Sequence, residues 1–144
     1  MLRISPAHHP DLLGIPLFTE HIPAGFPSPA ADYEEQDLDF NELLVKRRAS
    51  TYCLRVSGDS MEGAGILPGD ILVVDRSLRP VDGDIVVASL EGAFTVKRLR
   101  ISSRTVVLQA ENPRYRDIPI SNEEDFLVFG VVTGVVRTMG RGRK

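Results

Sequence analysis

Tryptophan is absent from this chain of 144 residues, cysteine occurs once, and lysine only three times. The single Cys53 cannot close an internal disulfide, which suits a reducing compartment and leads us to expect a cytoplasmic protein. The three histidines, His8, His9 and His21, lie near the N-terminus and, with one cysteine, offer no zinc-ligand spacing. The run DLDFNE places Asp37, Asp39 and Asn41 at calcium-loop spacing. It then puts Glu42 where glycine is needed and Arg48 where the closing glutamate belongs. Neither a GxxxxGK(S/T) phosphate loop nor a GxGxxG turn is present. No apolar run approaches the ~20 residues of a membrane span, and the opening MLRISPAHHPDLLGIPLF lacks the core of a signal peptide. The expectation is therefore a protein with no metal, no cofactor and no membrane segment.

What is present is a globular composition, with 42% hydrophobic and 26% charged residues. Charge is unevenly spread. Residues 1–45 carry eight acidic side chains against Arg3, a net of −7, whereas residues 46–144 carry 16 basic and 12 acidic, a net of +4. That asymmetry favours docking of an acidic arm onto a basic body, in the same or a neighbouring chain. The terminal RGRK reads either as a solvated end or as a nucleic-acid contact. Six of the ten prolines fall in the first 29 residues. Proline fixes φ and pushes its predecessor towards extended geometry, so residues 1–36 should form an extended arm. One short helix should follow in DFNELLVKR, with Asp39 as N-cap and Glu42 at capping-box spacing. Two regions result: an arm with its helix over 1–45, and a body over 46–144.

The body's periodicity is that of strands. YCLRVS alternates, placing Tyr52, Leu54 and Val56 on one face. DILVVD and DIVVASL are short β-branched runs bounded by the turn signals PGD and VDGD. SLEGAFTVKRL reads as a hairpin turning at Glu91-Gly92, and TVVLQA and FLVFGVVTGVV add two further strands. The fold class expected is mostly β, a small curved, barrel-like sheet with an extended N-terminal arm and one short helix.

Chemistry centres on VSGDSMEGAGILPGD. Its glycines let the chain turn tightly, and a serine in such a turn sits beside backbone N–H groups, the geometry of an oxyanion hole. Ser60 is either that serine or a plain turn residue. As a nucleophile it needs a base. The histidines belong to the arm, while Lys46 and Lys144 sit at a helix end and the C-terminus. By elimination Lys97 is the best available base, on a strand where it shares a face with Thr95 and Leu99. A lysine among apolar neighbours favours its neutral form; the alternative is an ordinary strand lysine with its head in solvent. Cys53, mid-strand without a partner, reads as a small buried residue.

SGDSM (57–61), the GI-x-PGD run (65–70), GDIVVA (83–88), FTVKRL (94–99) and FGVV (129–132) resemble the LexA/UmuD family of self-cleaving serine–lysine peptidases. PLF (16–18) and GFPSPAADYEEQ (25–36) in the arm resemble the UmuD branch rather than LexA or phage repressors. The resemblance implies a body with the LexA C-terminal-domain fold, Ser60 as nucleophile and Lys97 as general base. It implies a scissile bond at Ala24–Gly25, where the UmuD branch commonly has Cys–Gly and LexA-like relatives Ala–Gly. It assigns the oxyanion hole to the backbone N–H groups of Asp59 and Ser60. It further implies a homodimer whose self-cleavage is stimulated by a RecA filament on single-stranded DNA during the SOS response. The shortened product would join a UmuC-type polymerase in translesion synthesis. No sequence-specific DNA binding is implied, because the proline-broken leader cannot supply a helix-turn-helix domain. Two alternatives stay open: a catalytically inert module that regulates a DNA polymerase, and a peptidase acting on other chains.

Overall fold

The computed structural model describes residues 14–29, 35–121 and 125–141. His8 and His9, most of the RGRK tail, and the first two of the arm's prolines lie outside these. The chain forms two compact units, Met1–Lys46 and Arg47–Lys144.

In the first unit, β1 (Ile15–Phe18) pairs antiparallel with β2 (Glu35–Leu38), in a register running from Ile15 opposite Leu38 to Phe18 opposite Glu35. The arm is thus extended where β1 lies, as its prolines require, but it is also paired, which proline content alone did not foretell. Pro16 is tolerated because a two-stranded ladder consists entirely of edges, where a missing N–H need break no bond. The short helix α1 spans Phe40–Leu44. The Asp39 carboxylate caps it by accepting from the backbone N–H groups of Asn41 (2.9 Å) and Glu42 (3.5 Å).

The second unit is a seven-stranded antiparallel sheet. Its strands are β3 (Thr51–Arg55), β4 (Ile71–Asp75), β5 (Ile85–Leu90), β6 (Ala93–Ile101), β7 (Val106–Gln109), β8 (Ile118–Pro119) and β9 (Phe126–Val136). They lie in the order β3-β4-β9-β5-β6-β7-β8. The mostly β class expected from the sequence is borne out, and the short β8, a proline-containing pair of residues, is an addition. The hairpin between β5 and β6 turns at Glu91 (φ 51°) and Gly92 (φ 82°). Two successive positive φ values are those of a type I′ turn, whose twist matches that of the strands it joins.

The runs ILVV and IVVA do not alternate because both sheet faces are covered at the centre. Val87 packs with Met61, Ile66, Leu72 and Val74, while its neighbour Val86 packs with Ala88, Leu99, Leu108 and Val131. Successive side chains on a strand point to opposite faces, so adjacent membership in two clusters means a core on each side. A buried carboxylate pins each end of β4. Asp70 takes two 2.6 Å bonds from Arg137 and one from the Leu67 N–H (2.7 Å). Asp75 accepts from the Ser50 and Ser77 hydroxyls, both at 2.7 Å. These donors hold both carboxyls at a pKa of about 2, Arg137 being the chief cause for Asp70 and Ser77 for Asp75.

One expectation is corrected here. Cys53 is exposed, not buried. It lies on β3, an edge of the sheet with a neighbouring strand on one side only, so less covers it than covers the central strands.

Candidate active site

Ser60 stands in the connection from β3 to β4, five residues after the strand ends and just before a short helical turn over Glu62–Ala64. Lys97 lies near the middle of β6, opposite Val86 of β5, in a strand flanked on both sides by others. The structure brings the two together: Lys97 Nζ donates to Ser60 Oγ at 3.0 Å. It also donates to Thr95 Oγ1 at 2.8 Å and to the Val96 carbonyl at 3.1 Å. Thr95, two residues earlier on the same strand, shares a face with Lys97 as the period of two requires.

Lys97 is 7% exposed, and each of its three hydrogen-bond partners is a neutral oxygen. Burial lowers its pKa from the ordinary value because desolvation disfavours the ammonium. The arrangement can therefore present an unprotonated amine to a hydroxyl within hydrogen-bond reach.

Ser60 opens into a cleft of about 580 Å³, lined by Tyr52, Leu54, Met61, Phe94, Val96 and Phe129 among others. The Phe94 and Phe129 rings meet with centroids 4.9 Å apart. Phe129 lies where the β5–β9 register slips, with Val87 opposite Gly130 and Ala88 opposite Val128. The slip leaves Phe129 unpaired, and its carbonyl accepts from the Tyr52 hydroxyl (3.2 Å) across the cleft. Tyr52, Leu54 and Val56 all line the cleft, as the alternation in YCLRVS implied.

The loop carrying Ser60 is gripped by a segment that sequence reasoning passed over, residues 111–115. The carboxylate of Asp59 accepts from Tyr115 Oη (2.5 Å) and from Arg114. The Tyr115 hydroxyl, with help from Arg114, holds the Asp59 carboxyl below the usual carboxylate range, and the same bond raises Tyr115. The signal that marks this segment is ENP (111–113), an Asn-Pro turn directly after a strand. Thr95 was noted only as a face-mate of Lys97, not as its hydrogen-bond partner.

Ala24 and Gly25 lie in the other unit, in the connection between β1 and β2, and both are exposed. A Cβ at Gly25 would meet nothing within 4 Å. His21 is exposed in the same connection. Among the described residues, no three His, Cys, Asp or Glu side chains are grouped to hold a metal ion, and no helix is long and apolar enough to cross a membrane.

Comparison with known proteins adds an independent line. The family model described as Peptidase S24-like matches residues 16–133. The chain is similar to protein SamA of Salmonella typhimurium, 46% identical over 94% of this chain and 94% of that protein. It is similar to protein ImpA of Escherichia coli, 48% identical over 84% of this chain and 82% of that protein. It is also similar to the LexA repressor of an Anaeromyxobacter species, 39% identical over 90% of this chain but only 56% of the repressor.

Proposed function

Because this chain belongs to the Peptidase S24-like family, we propose that it is a serine–lysine peptidase that cleaves its own arm between Ala24 and Gly25. The observation that carries this reading is the buried Lys97 amine, 3.0 Å from the Ser60 hydroxyl. The unit that holds this pair contains no histidine to take the base's place.

The steps are those of serine–lysine acyl transfer. Neutral Lys97 takes the Ser60 proton as Oγ attacks the Ala24 carbonyl carbon. The resulting oxyanion lies against the backbone N–H groups of Asp59 and Ser60, neither of which donates to a backbone carbonyl among the described residues. The intermediate collapses, the Ala24–Gly25 bond breaks, and Lys97 returns its proton to the departing Gly25 amine. Water, activated by the same lysine, then frees the acyl-serine. An extended stretch suits this use, since a cleft binds a chain that is neither helix nor packed core. Ala24 and Gly25 are both small. The shortened product comprises residues 25–144.

In its biological setting the protein acts in the SOS response as a cytoplasmic homodimer. A RecA filament on single-stranded DNA stimulates the cut by stabilising a rarely populated cleavage pose. The product serves a UmuC-type polymerase in lesion bypass. The similarity to SamA and ImpA over most of both lengths supports this reading.

The test is a mass spectrum of purified protein after alkaline incubation, with and without an activated RecA filament. The expected fragment begins at Gly25, and Ser60→Ala and Lys97→Ala should each abolish it. A fragment beginning at Gly25 in either variant overturns the assignment. An unaltered protein that stays whole in both conditions would instead mark an inert interaction module.

A further inference from the structure

We propose that Asn112 is a positioning residue that aims the Ser60 backbone N–H into the cleft, a role that rests on reading Ser60 as the nucleophile. Asn112 is 6% exposed, and both ends of its amide are engaged. Its Nδ2 donates to the Asp59 carbonyl at 3.0 Å, and its Oδ1 accepts from the Arg114 backbone N–H at 3.0 Å. These two contacts orient the amide, because the reversed amide would set oxygen against oxygen at Asp59.

The consequence comes from the peptide unit itself. No peptide bond here is cis, and in a planar trans peptide the C=O and N–H point in opposite directions. The Asp59 carbonyl also accepts from the Glu62 backbone N–H at 3.2 Å, and holding it towards both donors turns the Ser60 N–H away from Asn112. Ser60 lines the cleft and Asn112 does not, so away from Asn112 is towards the space where the carbonyl under attack must lie. The Ser60 carbonyl is drawn to the same side, accepting from the Glu111 backbone N–H at 2.9 Å.

The two backbones can approach this closely because of Gly63. Its N–H donates to the Glu111 carbonyl at 2.8 Å, and a Cβ there would lie 2.5 Å from that same oxygen. The grip is anchored in turn to the strand that carries the base. Glu111 Oε1 accepts from Arg98 Nε at 2.5 Å, and Arg98 follows Lys97 on β6. One strand thus fixes the base directly and the Ser60 N–H through Arg98, Glu111 and Asn112, so the two halves of the site keep their relative placement. Donors held in advance lower a barrier because nothing need reorganise as charge develops.

The experiment compares rates of self-cleavage across alkaline pH for the full chain, Asn112→Asp and Asn112→Ala, with the unfolding midpoint of each. Asn112→Asp keeps the size and the acceptor for Arg114 but turns a carboxylate oxygen on the Asp59 carbonyl. Its plateau rate should fall about 10²-fold, the lower end of what losing one oxyanion donor costs. Asn112→Ala, which removes the donor without adding repulsion, should fall less. In Asn112→Ala, which adds no charge, the pH midpoint set by Lys97 should stay that of the unaltered chain, whereas the new carboxylate of Asn112→Asp favours the ammonium and raises it. A general loosening of the site would instead wet the lysine and move the Asn112→Ala midpoint upwards, which overturns the proposal. So does either variant cleaving as fast as the unaltered chain. If Asn112→Asp does not fold, Asn112→Ala decides alone. Ser60→Ala run beside them separates the two levels of inference. A cut that persists in Ser60→Ala removes the nucleophile and the Asn112 role together. A cut lost in Ser60→Ala but undiminished in the Asn112 variants removes only the latter.

Discussion

The rate of self-cleavage should rise tenfold for each pH unit until Lys97 has lost its proton, and then level off. The slope follows from the site, because a single ionisation separates the inactive ammonium from the amine that can accept the Ser60 proton. Between pH 7 and pH 9 that amounts to about 100-fold if both lie below the midpoint. The midpoint must fall below the ordinary lysine value of 10.5, since burial works against the charge and each oxygen Lys97 touches is neutral. Lys97→Arg supplies the control. A guanidinium stays protonated throughout this range and cannot act as base, so cleavage should be absent at every pH. The assay is the mass of the intact chain and its fragment, sampled over time in a pH series at constant ionic strength. A flat profile, or a rise that continues unbroken past 10.5, would refute the reasoning. The same ionisation bears on stability. The lysine's pKa is lower folded than unfolded, so the unfolded chain binds more protons between the two values and stability rises with pH across that window. Chemical denaturation of Ser60→Ala, which stays uncut, should show that rise, and Ser60→Ala combined with Lys97→Met should lose it.

Gly63→Ala must push the Ser60 loop and Glu111 apart, because its Cβ would lie 2.5 Å from a backbone oxygen. We expect a loss of about 1–3 kcal/mol in urea denaturation together with slower cleavage, and an unchanged midpoint would contradict the contact. Arg137→Ala removes the chief cause that holds Asp70 at a pKa of about 2. A depressed carboxyl contributes stability above its unfolded value, lost as pH falls towards 2. The variant should therefore unfold at higher pH in an acid titration followed by circular dichroism, and an unshifted transition would count against the pairing. Cutting at Ala24–Gly25 severs the connection between β1 and β2, leaving four residue pairs to hold two separate chains. A two-stranded ladder is marginal by itself, and cutting the tether removes an effective concentration on the order of millimolar. Residues 1–24 should thus leave after cleavage, and their co-elution with the product in size-exclusion chromatography would show otherwise.

Much of the site could be read from residue order. Lys97 was reached by elimination and by the face it shares with Leu99, and its burial follows from the same alternation that buries Leu99. The turn at Glu91-Gly92 and the Asp39 cap were legible because each is local chemistry, decided within four residues. The β1–β2 ladder was not legible, because its halves lie some twenty residues apart and proline masks the strand signal of one of them. Nor was the exposure of Cys53, which depends on β3 being an edge.

By itself the sequence determined the mostly β body, the extended backbone around Pro16 and the two residue types whose chemistry complements one another. These rest on periodicity, restricted dihedrals and functional groups, all of which act over short stretches of chain. Only the tertiary structure decided that the Lys97 amine meets the Ser60 hydroxyl, that Thr95 and Val96 share that amine, and that Asn112 grips the peptide beside Ser60. Those contacts join positions up to 53 residues apart. Their distances are set by sheet register, by the bulges in β9 and by the close approach at Gly63, and no local preference encodes such a sum.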